Sequence, residues 1–313
     1  MDLLNLIWNN GVAFVFILSV IVFGHELGHY LIARYNGVKV DVFSIGFGPE
    51  LFGWNSKSGT RWKIALLPLG GYVKFFGDAD AASTPGEDVP EMAEADRAVS
   101  FHHKRLGQRA AIVLGGPLAN FVLAIAILAV MFSTVGQRIT PADISIVRAG
   151  GPAEAAGVLP GDTILAIDDE AIDRFEALQR IVRASVGDPL TFVILRDGAE
   201  IEIDIVPHMV EVTDRFGNVQ HYGQIGVGRK GVEFVRHDPL TAVWAAVEET
   251  WMLSFATLDA LGEIIVGTRG SDELGGPIRI AQVSAQVAED GIVTVFWFMA
   301  VLSINLGLIN LFP

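Results

Sequence analysis

His25-Glu26-Leu27-Gly28-His29 forms a His-Glu-x-x-His run. On a helix, residues four apart lie one turn up the same face, so His25 and His29 present their imidazoles side by side. That spacing suits two ligands of a tetrahedral zinc, with Glu26 beside them to take a proton from the attacking water. The run lies inside an apolar stretch that begins with GVAFVFILSVIVF at Gly11 and continues as YLIA after His29. Ionisable side chains are costly in lipid and mark function there. Burying Glu26 without a partner costs several kcal/mol, which weighs against a pair of structural core histidines. The chemistry expected is hydrolysis within a membrane, with Zn2+ lowering the pKa of a bound water and polarising the scissile carbonyl.

A catalytic zinc takes three protein ligands and a water. His25 and His29 supply two. Asp259 and Glu263 are alternatives for the third, and His102 and His103 sit at a basic membrane boundary. The last apolar segment, IVTVFWFMAVLSINLGLINLFP, holds no carboxylate or histidine. Its notable polar residues are Asn305 and Asn310. They can bond helix to helix, as polar side chains do in membranes. They can also hold an unwound substrate backbone beside the metal, since a carboxamide both donates and accepts.

The elements that must position these groups are legible in composition. The chain has 313 residues, 51% of them hydrophobic, and a mean hydropathy of +0.45. That is too apolar for an ordinary soluble protein and implies several spans plus a soluble part. The net charge of −14 argues against a nucleic-acid partner. With no cysteine, any metal must be held by His, Asp, Glu or water. The N-terminus lacks a basic leader region and is expected to be retained.

Three stretches are long enough to span, at about 11–33, 110–135 and 292–313. A fourth, 240–267, carries Glu248, Glu249, Asp259 and Glu263 beside a row of Trp244, Val247, Trp251 and Phe255. It reads as an amphipathic helix on or partly in the membrane. Arg34, Lys104, Arg105 and Arg109 flank the loop between the first two spans, while the first twenty residues hold no Lys or Arg. The positive-inside rule then puts that loop in the cytoplasm and the long region after the second span outside.

Within the loop, alternation around Val38, Val40 and Val42, then Arg61–Leu67 and Gly71–Phe76, reads as strands. They form either a sheet dipping toward the bilayer or a small cytoplasmic hairpin. Residues 78–100 are acidic and read as flexible. Gly115-Gly116-Pro117 and Asn120 read as a tight-packing patch against the first helix, and Gly275-Gly276-Pro277 as a loop. The external region has short strands, one helix and no nucleotide-binding or nucleophile motif, which reads as a binding module.

Together, FGHELGHYLIAR, GFGPELF, PLGGYVKFFGD, Phe101-x-x-Lys104, GGPLANFVLA, GGPIRIAQ and SINLGLINLFP resemble the site-2 protease family of intramembrane zinc metalloproteases, and within it the bacterial regulator-of-sigma-E protease branch. The resemblance covers almost the whole chain, in order. GPAEAAGVLPGDTILAIDDEAI looks like the core of a PDZ domain, with room for one such domain. The resemblance implies zinc ligation by His25 and His29, a catalytic base at Glu26, and substrate holding by Asn305 and Asn310. It also implies a sheet at 38–76 that accepts the substrate as an added strand. The family's third ligand is an aspartate shortly after the Asn-Leu-Phe-Pro run, so the chain is expected to be a C-terminally truncated fragment, inactive alone.

The expected fold is a multi-pass α-helical membrane protein with a membrane-associated β-sheet and an inserted PDZ-like β-rich domain. Its expected parts are a first span at 1–34 with the metal motif, a β-rich loop at 35–109, and a second span at 110–135. A PDZ domain follows at 141–208 with an extension to 236, then the amphipathic helix at 240–267 and an incomplete third span at 291–313. The expected function is a zinc metalloendopeptidase of the bacterial inner membrane that cuts a single-pass membrane protein, such as an anti-sigma-factor-like regulator, in regulated intramembrane proteolysis. The metal motif would lie toward the cytoplasmic side and the PDZ domain, with its peptide or protein ligand, in the periplasm. The rival readings are a non-proteolytic PDZ membrane scaffold and a metal transporter.

Overall fold

The computed structural model describes residues 3–80, 83–86, 89, 92–172, 174–213, 219–229, 231, 233–267 and 276–312. Gly275 and Pro313 lie outside that set. The chain divides into two compact units, Met1–Thr134 with His237–Pro313, and Val135–Arg236.

Among the described residues, three helices of the first unit are long and apolar enough to cross a membrane. Helix α1 runs Leu3–Tyr35, with its spanning part at Gly11–Tyr35. Strands β1 (Val40–Asn55) and β2 (Arg61–Phe75) follow, then the short α2 (Glu94–Val99) inside the stretch expected to be flexible. Helix α3 runs Leu106–Thr134 and starts four residues before the expected span.

β1 and β2 fold back on each other. Residues 42–45 have neighbours on both sides, from Val42↔Lys74 to Ile45↔Gly71 and from Val42↔Arg61 to Ile45↔Ile64. Residues 52–55 pair on the far side of 61–64. Segment 71–75 is therefore an edge of this small sheet. The root of the sheet is a packed core in which Val38, Val40, Phe43 and Phe75 are buried with Ala33 of α1 and Ile112 of α3. Its far part leaves Leu51, Phe52, Leu66, Leu67 and Leu69 exposed. An apolar face of that kind belongs against lipid or protein.

The second unit holds β3 to β12 with two short helices, as an inserted PDZ-like β-rich domain requires. Strands β3 (Gln137–Ile139) and β4 (Ile146–Val147) lead into helix α4 (Pro152–Ala155). A four-stranded sheet in the order β6-β5-β7-β8 follows, from Thr163–Ile167 (β5), Glu170–Ala171 (β6), Leu190–Arg196 (β7) and Ala199–Ile205 (β8). Helix α5 (Phe175–Ala184) buries Phe175, Leu178 and Val182, spaced three and four apart on one face. It joins a core in which Ile164, Ile167, Phe192 and Ile194 are almost fully buried. β9 (His208–Thr213) pairs antiparallel with β10 (Val219–Gln224). β11 (Val227–Gly228) pairs with β4, and β12 (Glu233–Val235) pairs with β3.

A partly buried ion pair links the start of β5 to the end of β7. Arg196 Nε and Nη2 each donate to Asp162 at 2.7 Å, and the Leu159 N–H donates at 2.8 Å. The Arg196 guanidinium holds the Asp162 carboxyl below its usual range. An acid depressed in the fold binds its proton more tightly when unfolded. Its stabilisation is therefore complete above the ordinary carboxylate pKa of about 4 and is lost as pH falls through the depressed value. Asp162→Asn is expected to destabilise the unit by about 2 kcal/mol at neutral pH. Hydrogen exchange in β7 reads this out, and the variant should lack this group's share of the wild-type loss of protection below about pH 4. Equal protection in both proteins at neutral pH would show that the pair is not needed.

The chain re-enters the first unit through α6 (Pro239–Val266), α7 (Pro277–Glu289) and α8 (Ile292–Ile309). α6 starts on a full cap, with the Asp238 carboxylate accepting from Leu240 and Thr241 N–H. Its buried face is the small one, Ala242, Ala245, Ala246, Thr250 and Ser254, while Trp244 and Trp251 are exposed. Small residues inward and large ones outward is the packing rule of helices in lipid.

Candidate metal centre

α1 carries His25, Glu26 and His29, and α3 is the surface against which they are set. The two helices approach at glycines. A Cβ on Gly28 would lie 2.2 Å from the Gly115 carbonyl oxygen, and a Cβ on Gly115 would lie 2.8 Å from that of Gly28. No larger residue permits this contact at either place. A Cβ on Gly116 would stand 2.3 Å from His29 Nε2 and 2.8 Å from His25 Cε1. Gly116 therefore clears the side of both rings where a metal would bind.

His25 Nε2 and His29 Nε2 are 3.2 Å apart. Two ligands about 2.05 Å from a tetrahedral zinc stand roughly 3.3 Å apart, so the pair fits that ion. Each ring is also engaged from behind. His29 Nδ1 lies 2.8 Å from the Ile112 carbonyl oxygen, and His25 Nδ1 lies 3.1 Å from Asn120 Nδ2. Backing of this sort fixes ring orientation in metal sites.

Glu26 is met by the edge of the sheet, where the Val73 backbone N–H donates to its carboxylate. Gly71 lets this edge come close, since a Cβ there would lie 3.1 Å from Glu26 Cγ. Glu26 and His29 open onto a cavity of about 310 Å³, walled by Tyr72, Val73, Phe101 and Val113 among others. Pro117 sits inside α3 and offers no N–H to the Val113 carbonyl. The wall is tied below by Phe75 stacked on Phe101, with ring centres 5.0 Å apart, and by His102 Nε2 at 2.8 Å from Asp78 Oδ1. Burial raises the Asp78 carboxyl above its ordinary range, against the lowering effect of the Phe75 N–H and of His102.

The residues expected at the site from sequence divide into two groups. His25, Glu26 and His29 stand together. Asn305 accepts a hydrogen bond from Thr257 Oγ1 of α6 at 3.0 Å. Asn310 is the exposed cap residue of α8 and lies seven residues beyond Ser303, hence on the same face. That face packs on α3, where Ser303 Oγ donates to the Asn120 carbonyl at 2.9 Å. Among the described residues, no group of three His, Cys, Asp or Glu could hold a metal ion, so Asp259, Glu263, His102 and His103 do not join the histidine pair. Asn120 and Gly116, which read from sequence as a packing patch, meet the two imidazoles, and Val73 meets Glu26 from the sheet edge. The available signal was an asparagine within an apolar span, a costly placement that asks for a partner.

The pattern of peptidase family M50 matches residues 13–313. A protein of Rhizobium meliloti named as a zinc metalloprotease is 46% identical over 305 residues, which cover 96% of this chain and 82% of that protein. The metalloprotease MmpA of Caulobacter vibrioides is 37% identical over 326 residues, covering 96% of this chain and 82% of its own. Among solved structures, the PDZ domain of an SdrC-like protein of Listeria innocua is similar over 28% of this chain and 90% of that domain, at 22% identity and a TM-score of 0.22.

Proposed function

The chain belongs to peptidase family M50, and from that premise we propose that it is a zinc metalloendopeptidase that cuts a single-pass membrane protein within or near its span. The observation that carries this reading is the histidine pair of α1. Its Nε2 atoms are 3.2 Å apart, with Glu26 beside them and a cavity of about 310 Å³ in front. His25 and His29 would hold the zinc, which when bound polarises the scissile carbonyl and acidifies a water. Glu26 takes the proton from that water and passes it to the leaving amine. The Val73 N–H keeps the carboxylate turned toward the cavity.

A membrane helix must unwind before its amide can be attacked, and its freed backbone groups then need partners. Segment 71–75 offers a strand edge for them, and Asn310 offers a carboxamide. Asn305 is the second expected holding residue and would exchange its bond to Thr257 for one to substrate. The positive flank at Arg34 and Lys104–Arg109 supports placing the metal end toward the cytoplasm of a bacterial inner membrane, with the second unit in the periplasm. That unit's groove of about 110 Å³, between α5 and residues 222–227, would take the peptide or protein ligand. An anti-sigma-factor-like regulator, shortened first by another protease, is the substrate class this arrangement suits.

The test is the full-length protein purified in detergent, assayed for zinc and for cleavage of a reconstituted single-pass substrate. About one zinc per chain is expected, lost together with cleavage in His25→Ala and in His29→Ala. A protein that holds no metal would instead support a scaffold. Bound zinc that moves across sealed vesicles without proteolysis would support a transporter.

A further inference from the structure

The two imidazoles are backed by different chemistry. Behind His29 stands the Ile112 carbonyl, which can only accept. His29 therefore carries its proton on Nδ1 and presents the Nε2 lone pair. Behind His25 stands the carboxamide of Asn120, 3.1 Å from Nδ1. A carboxamide can turn either its NH2 or its oxygen to a neighbour, and the two placements have the same shape. With the NH2 toward the ring, Nδ1 accepts and the proton sits on Nε2, which cannot then ligate. With the oxygen toward the ring, the proton sits on Nδ1 and Nε2 is free for a metal.

Asn120 is fully buried, and its Oδ1 has no partner among the described residues while the NH2 faces the ring. Turning the group leaves the NH2 at that place, so one corner of the amide is unmatched either way. The demand of the metal on His25 Nε2 then decides between them. The residue itself cannot drift, because its carbonyl accepts from Ser303 Oγ at 2.9 Å and Gly307 of α8 packs on its Cβ.

We propose that Asn120 is a positioning residue that selects the metal-ready tautomer of His25, with its Oδ1 accepting from Nδ1–H across the α1–α3 contact. The inference rests on the zinc reading above. It assigns to α3 the outer support of both histidines, through Ile112 for one and Asn120 for the other.

The full chain in detergent, titrated with zinc against a chromophoric chelator, tests it with two variants. Asn120→Leu removes the acceptor and is expected to weaken zinc binding about 10- to 100-fold. Asn120→Asp can only accept, so it is expected to stay within a few-fold of wild type. Nitrogen-15 NMR of His25 gives a readout separate from activity, with an Nδ1–H ring expected in the zinc-loaded wild type and in Asn120→Asp. Zinc affinity in Asn120→Leu equal to wild type overturns the proposal. So does a loss of tenfold or more in Asn120→Asp, which keeps the test decisive if the leucine variant does not fold. A wild-type chain that binds no zinc would instead overturn the metal reading from which the proposal starts.

Discussion

Replacing Glu26 with Gln is expected to leave zinc bound and to reduce cleavage by about 10²- to 10⁴-fold. Glutamine has nearly the same size and keeps an oxygen to accept from the Val73 N–H, so the packing around α1 is preserved. What it lacks is a site for a proton at neutral pH. The water is then no longer deprotonated, and the leaving amine no longer receives a proton. Zinc content and cleavage of a reconstituted substrate should therefore separate, with the first unchanged and the second lost. Cleavage retained at wild-type rate would remove Glu26 from the role of base. Loss of zinc together with activity would mean that the variant disturbs the metal site and not proton transfer.

Gly116→Ala should be as damaging by a different route. The added methyl falls 2.3 Å from His29 Nε2 and 2.8 Å from His25 Cε1, within the space the metal needs. Alanine favours a helix over glycine by about 1 kcal/mol, so α3 itself should not suffer. The expected result is a folded protein with little zinc and with cleavage lost in proportion to the zinc. Wild-type zinc content in this variant would show that the rings have room to withdraw. Gly28→Ala is the informative contrast. Its methyl meets the Gly115 backbone oxygen at 2.2 Å, which no side-chain movement relieves, so helix packing should fail before metal binding does.

The catalytic part of this arrangement was readable from sequence because it is local. His25, Glu26 and His29 lie within five residues on one helix, and the period of that helix fixes their common face. Spans were readable for the same reason, with ends shifted by a few residues. What pairs with the motif was not readable. Asn120 is ninety-five positions from His25, and Val73 reaches Glu26 from a sheet edge. Nothing in local periodicity sets the register between α1 and α3. That register depends on glycines whose backbones touch. Trp244 and Trp251 of α6 mark an apolar face, but the face that packs on protein is the alanine one, because lipid reverses the usual reason for burying large side chains.

β3 and β12 carry the chain into and out of the second unit, and they pair side by side from Gln137↔Val235 to Ile139↔Glu233. The second unit thus begins and ends on paired strands. What lies between residues 139 and 233 is therefore a segment with adjacent ends, the arrangement at which domain insertion is tolerated. In evolutionary terms the strand pair is a socket. The first unit can keep its helices while the segment between the paired strands is exchanged.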